Sequence, residues 1–326
     1  MEAIIKIIKE QMNSFGLDPK NEESIVDKVY YRAGFLNGFA EYLKNSKITS
    51  LQEIEQLIQI FNEDLIQRLI EENIIPKNSV CISLEAITHK VKHLLHKYIA
   101  KKNVSEDLST IKKELILIVQ NLFLLNDSTK ENIAKNFINS FFNGVTILIY
   151  GNSLSVIYSL IYAKKSGKTF SVYLANNSEN DNSKKIAEIF KKNDIDCKLI
   201  SGISIGFYLP KIDFILTGAD AICENGGIIN TIGTNTIAIC AKNARKPFYA
   251  LVSSLKYFKR YFMEQKDLES LNKKYSITGE PIVDYTPPEY ITTFFTDQGI
   301  FLPITIIKDI IILISNNYLK ASYTFS

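Results

Sequence analysis

"TGADAICENGGIINTIGTNTIAICAKNARKPFYALVSSLKY", residues 217–257, sets an acid, Asp220, at the end of an apolar strand. Gly226-Gly227, an Ile-Gly-Thr turn at 232–234, a smooth helical run and another apolar strand follow. Strand, acid, glycine loop and helix in that order suit a small phosphorylated ligand. Glycines let backbone amides turn toward a ligand, and the amides of a helix start attract its charge. Thr234 is placed to cap that helix. A glycine-rich connection carrying a surface acid has the same local spacing, so the glycines alone are a weak signal. The order of features along the whole stretch is more specific.

Working outward, the strands on either side share this rhythm. "VTILIY" (145–150) is short and wholly apolar, and Gly151-Asn152-Ser153 and a helix come after it. "TFSVYLA" (169–175), "CKLIS" (197–201), "DFILTG" (213–218) and "PFYALVS" (247–253) read as further strands, with a helix at 183–192. The Asn/Lys/Ser-rich stretch 176–185 reads as a solvated start to that helix. Apolar strands alternating with helices predict a parallel sheet covered on both faces. In such sheets ligands sit beyond the carboxyl ends of the strands, where Gly151 and Asp220 both fall.

Residues 1–125 read as helix after helix. In "SLQEIEQLIQIFNEDLIQRLIEEN" (50–73) apolar residues recur at helical spacing, and Ser50 with Glu53 forms a capping box for one helix. A second box, Ser128 with Glu131, is expected to start the helix leading into the second half. The expected architecture is α/β: a helical domain over 1–125, then a Rossmann-like parallel-sheet domain over 126–326.

The chain has 326 residues, 46% hydrophobic and 22% charged, enough for an ordinary globular core. Its 38 basic and 35 acidic residues leave a net charge of +3, which gives no nucleic-acid footprint. Cys81, Cys197, Cys223 and Cys240 are scattered, as in a reduced intracellular protein. The start, "MEAIIKIIKE", carries charges that break any secretory apolar run, and no segment is long enough to span a bilayer. A cytoplasmic protein binding neither DNA nor membrane is expected. His89, His93 and His96 follow Glu85 on one helical face, opposite Leu84, Ile87, Val91, Leu94, Leu95 and Tyr98. That spacing could hold zinc, but a solvated polar face explains it without a metal.

"GADAICENGGIINTIGTNTIAICAK" (218–242), "KPFYALVSSLKY" (246–257) and "VDYTPPEYITTFFTDQGIFLP" (283–303) together resemble the regulatory subunits of eukaryotic translation initiation factor 2B. That family is related to methylthioribose-1-phosphate and ribose-1,5-bisphosphate isomerases. The compact length, with no long N-terminal extension, is most like the alpha subunit. The resemblance implies a non-catalytic subunit of the exchange factor for initiation factor 2. Such a subunit homodimerises through its α/β half, joins the other subunits of factor 2B, and helps sense initiation factor 2 carrying a phosphorylated alpha subunit.

The isomerases move a hydrogen between adjacent sugar carbons, using a cysteine after the first sheet strand and the aspartate of Gly-Ala-Asp. Asp220 matches the aspartate, whereas the cysteine position falls on Gly151, which carries no proton donor. An arginine position falls on Asn78 and a lysine position on Thr231, so both cations are missing, while Lys256 matches a retained lysine. The resemblance thus implies no catalytic residue and no cofactor. It leaves a vestigial pocket of Gly151, Asn152, Ser153, Asp220, Asn225, Asn230 and Lys256, with Asp220 a relic of catalysis. Asp220 then either steadies the glycine loop or touches a sugar hydroxyl. The alternatives are a sugar-phosphate isomerase with a displaced thiol and a module that binds a sugar phosphate for regulation.

Overall fold

The structure is a computed structural model describing residues 2–14, 27–47, 49–100, 107–140, 142–176 and 182–306. Among these, the N-terminal half forms α1 (Glu2–Ser14), α2 (Asp27–Asn45), α3 (Leu51–Ile60), α4 (Glu63–Glu71), α5 (Val80–Ile99) and α6 (Leu108–Ile138). The 50–73 pattern is two helices rather than one. Ser50 caps α3 by accepting from the Glu53 amide at 3.2 Å. Phe61 then leaves the helix to stack on Phe35 and Phe39 at 4.5 and 4.0 Å. Asn62 restarts the chain by accepting from the Leu65 amide at 3.1 Å. The periodicity survives the break because Ile54, Ile58, Leu65, Ile66 and Leu69 all reach the same core.

Ser128 does not start a helix. It lies inside α6, which begins after Asp107 and crosses residues 125/126 without interruption. A capping box needs a residue that leaves helical geometry, and here the helical run passes through it. A single apolar cluster runs from Ile4 to Ile306 and includes residues of both halves.

The second half begins with β1 (Val145–Tyr150), α7 (Leu154–Lys165), β2 (Phe170–Asn176), α8 (Ser183–Lys192), β3 (Asp196–Ser201), α9 (Ile205–Tyr208) and β4 (Phe214–Thr217). It continues with β5 (Ala221–Cys223), β6 (Ile228–Thr231), α10 (Thr234–Asn243), β7 (Phe248–Leu251), β8 (Tyr257–Phe258), α11 (Glu269–Tyr275), β9 (Val283–Thr286), β10 (Thr293–Thr296) and β11 (Gly299–Phe301). The main sheet has the order β11-β10-β7-β4-β1-β2-β3, and only the β10–β11 pairing is antiparallel. The chain winds from β1 toward β3 and then from β4 the other way. The crevice between β1 and β4 is therefore the topological switch point.

A second sheet, β8-β5-β6-β9, was not foreseen from the sequence. Its strands have two to four residues each, too short to show a period. It places Gly226-Gly227 in the hairpin turn between β5 and β6, so that glycine pair does not form a ligand loop.

Helix α5 lies between the helical half and this small sheet, touching β5, β8 and the short turn Ser254–Lys256. Its expected polar face is therefore partly interior. Glu85 is buried and accepts from Lys274 Nζ at 2.9 Å and from the Tyr275 hydroxyl. Lys90 is buried and donates to the Ser254 carbonyl at 2.5 Å. Burial pushes its ammonium down to about 7, against the pull of Asp297. His93 and His96 are exposed, as a solvated face requires, while half-buried His89 sits 3.7 Å from Glu63. Among the described residues no group of His, Cys, Asp and Glu could hold a metal ion, and no helix is long and apolar enough to cross a membrane.

Candidate functional site

The carboxyl ends of β1 and β4 frame a cavity lined by Arg32, Tyr150, Asn152, Ser153, Asp220, Asn230, Thr231 and Lys256, among others. Two glycines bring its walls together. Gly151 turns the chain out of β1 with φ +84°, a left-handed conformation that side chains resist. Gly218 follows β4 so closely against the β1–α7 loop that a Cβ there would lie 2.3 Å from Ser153 Oγ. The cavity volume is about 30 Å³, room for a water or two.

Asp220 is 2% exposed. Its amide donates to the Ile229 carbonyl at 2.8 Å, and its carbonyl accepts from Ser83 Oγ of α5 at 3.0 Å. Asn230 on β6 donates through Nδ2 to Thr217 Oγ1 and Thr234 Oγ1, both at 3.0 Å, tying the end of β4 to the start of α10. Lys256 is buried and donates to the Ala219 carbonyl beside Asp220. The Tyr150 hydroxyl donates to the Ile232 carbonyl at 2.6 Å.

Arg32, from α2 of the helical half, was missed by the sequence reading. It is 4% exposed and lines the cavity. Burial lowers its guanidinium to about 10, and the negative charge of Asp220 opposes that fall. The pocket therefore has two cations around Asp220, where the sequence suggested Lys256 alone. A signal was present: in "VYYRAGFLNGFA" (29–40) one arginine interrupts an apolar helical stretch. A charge buried in such a stretch must meet an opposite charge elsewhere in the fold.

Of the expected site residues, Asn152, Ser153, Asp220, Asn230 and Lys256 converge here. Gly151 sits just behind, where a Cβ would lie 3.7 Å from Asn230 Nδ2. Asn225 does not belong to the site. It holds the β5–β6 turn by accepting from the Gly227 amide at 3.2 Å, and it donates to the Phe262 carbonyl and to Tyr285.

The expected phosphate cradle at α10 is also different. Thr234 is the first helical residue rather than the cap, and it donates to the Thr231 carbonyl at 2.6 Å. The helix start is occupied by Asp284 of β9, whose Oδ2 accepts from the Gly233 and Asn235 amides at 2.7 and 3.0 Å. Among the described residues no thiol lines the cavity. Cys223 is buried in β5, where burial pushes its thiol up, and burial pushes the Cys81 thiol up to about 12.

A parallel sheet with a buried acid and two cations at its switch point defines a Rossmann-like protein with a small polar cavity. Over residues 35–303 the chain matches the model of the initiation factor 2 subunit family, and it belongs to that family. It is 36% identical over 188 residues to the alpha subunit of translation initiation factor eIF2B of Dictyostelium discoideum. That alignment spans 52% of this chain and 59% of the relative. The Caenorhabditis elegans alpha subunit is 25% identical over 299 residues, 85% of this chain and 97% of the relative. The ribose 1,5-bisphosphate isomerase of Methanocaldococcus jannaschii is 30% identical over 192 residues, 55% of this chain and 62% of the relative. The crystal structure of a tetrameric eIF2B-beta2-delta2 complex from C. thermophilum shares the fold. Its TM-score is 0.72 at 18% identity, covering 96% of this chain and 93% of the matched one.

Proposed function

We propose that the chain is a regulatory subunit of the alpha type in the exchange factor for translation initiation factor 2, and that it does not turn over substrate. The observation that carries this reading is Gly151. By the resemblance it falls where the related isomerases place their thiol, and no described cysteine lines the cavity in its stead. Losing a general acid–base group typically lowers a rate roughly 10²–10⁴-fold. Similarity to two eIF2B alpha subunits supports the translational role. Assembly through a homodimer of the α/β half fits exposed Ile300, Leu302 and Ile304 at the β11 edge. The rest of the apolar stretch 299–314, from 307 onward, lies outside the described residues. Sensing of the phosphorylated partner is assigned to the helical half, where Lys97 is half-buried at the end of α5 and Lys101 and Lys102 lie outside the described residues.

The test is to purify the chain from its native cytosol, identify the co-purifying proteins, and incubate it with ribose-1,5-bisphosphate and methylthioribose-1-phosphate. Co-purifying factor 2B subunits and no ketose product are expected. Asp220-dependent turnover would overturn the reading.

A second reading, in which the pocket binds a sugar phosphate as a signal, is favoured by Arg32. With Lys256 it gives the cavity two cations for an anionic group. Since the cavity is small and Lys256 is engaged by the Ala219 carbonyl, a ligand must displace that bond. Sugar phosphates should raise the melting temperature of the wild type and not of Lys256→Ala. A shift that survives the substitution places the ligand elsewhere.

A further inference from the structure

A second cleft lies on the far side of the α10 start. Asn235 and Thr236 of α10, Lys266 and Glu269, Lys273 of α11, and the 279–284 segment wall it, and its volume is about 470 Å³. That suits a small molecule. Asp284 forms part of its wall and is only 5% exposed. While Oδ2 takes the two amides that open α10, Oδ1 is buried and has no hydrogen-bond partner among the described residues. Asn235 Oδ1, on the same wall, is likewise buried without a partner. Two neighbouring residues thus each leave one buried oxygen without a donor, and a buried acceptor left unsatisfied is costly enough to call for an explanation.

Two other polar side chains of the wall, Asn272 and Gln265, are already engaged. Asn272 holds the Ile282 and Val283 amides at 2.9 and 3.1 Å and donates to the Val283 carbonyl. Gln265 is paired with the backbone of Tyr285. At the rim, exposed Lys266 and Lys273 are ion-paired with Glu264 and Glu269, surface pairs that a ligand's anionic group can displace.

We propose that this cleft is a separate ligand site that takes a small zwitterionic amine, such as a free amino acid or an aminoalkyl phosphate. An ammonium carries only donors, so it complements Asn235 Oδ1 and the ionised form of Asp284, and its charge draws the Asp284 carboxyl toward that form. The anionic end of the same molecule reaches the rim lysines. A sugar phosphate without an amine matches this wall poorly, because its hydroxyls need acceptors satisfied and donors supplied together. The site does not depend on the Asp220 pocket, since the two share no cation.

The experiment titrates the full chain calorimetrically with glycine, L-serine and phosphoethanolamine, using glycolate and ribose 5-phosphate as probes that lack an ammonium. At least one amine probe should bind at millimolar concentration and glycolate should not. Asp284→Asn should weaken binding by about tenfold or more, the loss of one charge-assisted hydrogen bond. Thr236→Arg, which sets a guanidinium into the cleft from an exposed position, should also abolish it, and this variant decides the matter where Asp284→Asn fails to fold. Lys256→Ala should leave binding unchanged. Failure of every amine probe, equal binding of glycolate and glycine, or indifference to Thr236→Arg would overturn the proposal.

Discussion

Asp220 and Asp284 flank β6, one just before its neighbour β5 and the other in its neighbour β9, and the chain solves the same problem differently for each. Both are buried carboxylates, 2% and 5% exposed. Asp220 sits in a pocket with Arg32 and Lys256, each brought from a distant part of the sequence. Asp284 has two backbone amides and no cation within its hydrogen-bonding reach among the described residues. Burial outweighs those amides, and its carboxyl is pushed up to about 7. One acid has two cations in its pocket, while burial without a cation brings the other close to neutrality. The two proposed ligands follow this contrast, an anionic group drawn to the cations beside Asp220 and a cationic head drawn to Asp284.

The largest test of the comparison removes the charge at Asp220. Breaking one partner of a buried ion pair typically costs about 3–5 kcal/mol, because the other charge stays buried without compensation. Asp220→Asn should therefore cost about 3 kcal/mol or more in chemical denaturation. The double variant Arg32→Met with Asp220→Asn should recover most of that loss. A single variant costing under about 1 kcal/mol would mean that Arg32 does not rely on Asp220 for its burial.

The second test uses pH. The carboxyl of Asp284 stands at about 7 in the fold against an ordinary 3.8, so the native state holds a proton that the unfolded chain releases first. Stability from this group is fully present below about 3.8 and is lost as pH rises through about 7. At about 1.4 kcal/mol per pH unit the loss totals no more than about 4 kcal/mol. Asp284→Asn keeps an oxygen for the two amides but does not titrate. Urea melts of both proteins between pH 5 and pH 8 should show the wild type losing stability relative to the variant as pH rises. Parallel curves would show that Asp284 is charged throughout.

The Asp220 side of the molecule was legible in the sequence, and the Asp284 side was not. Five strands of the main sheet, β1, β2, β3, β4 and β7, are four to seven residues long, enough for β1 to be read at its observed ends and the other four to within a residue or two, while β10 and β11 were not read as strands. Gly151, Asn152, Ser153 and Asp220 follow strand ends, so topology alone brings them together. Arg32 was missed because a helix–sheet contact, rather than any local pattern, carries it to the pocket. Asp284 was missed because its capping partners, Gly233 and Asn235, are some fifty positions earlier in the chain. Thr234 looked like the cap only because it is adjacent. Asn225 was assigned to the ligand since the hairpin around it is too short to betray itself as a hairpin.

The smallest expected effect is at Gly151, and it decides whether the pocket is a relic or a dormant catalyst. A residue with a Cβ at φ +84° costs about 1–2 kcal/mol relative to glycine. The space itself is not limiting, since the nearest atom to that Cβ would be Asn230 Nδ2 at 3.7 Å, an ordinary contact. Gly151→Ala and Gly151→Cys should therefore lose the same small amount of stability and fold normally. The cysteine variant would then carry a thiol beside Asn230, on the side of the cavity that holds Asp220. With Asp220 facing Arg32 and the Lys256 ammonium bound to the Ala219 carbonyl, neither the acid nor the cation is arranged around a sugar. Gly151→Cys is thus expected to leave ribose-1,5-bisphosphate unconverted in a product assay. Ketose formed by Gly151→Cys and not by Gly151→Ala would show that one missing thiol separates this chain from an isomerase. Asp220 would then be a working acid–base group waiting for its partner, and the contrast with Asp284 would be one of chemistry as well as of charge.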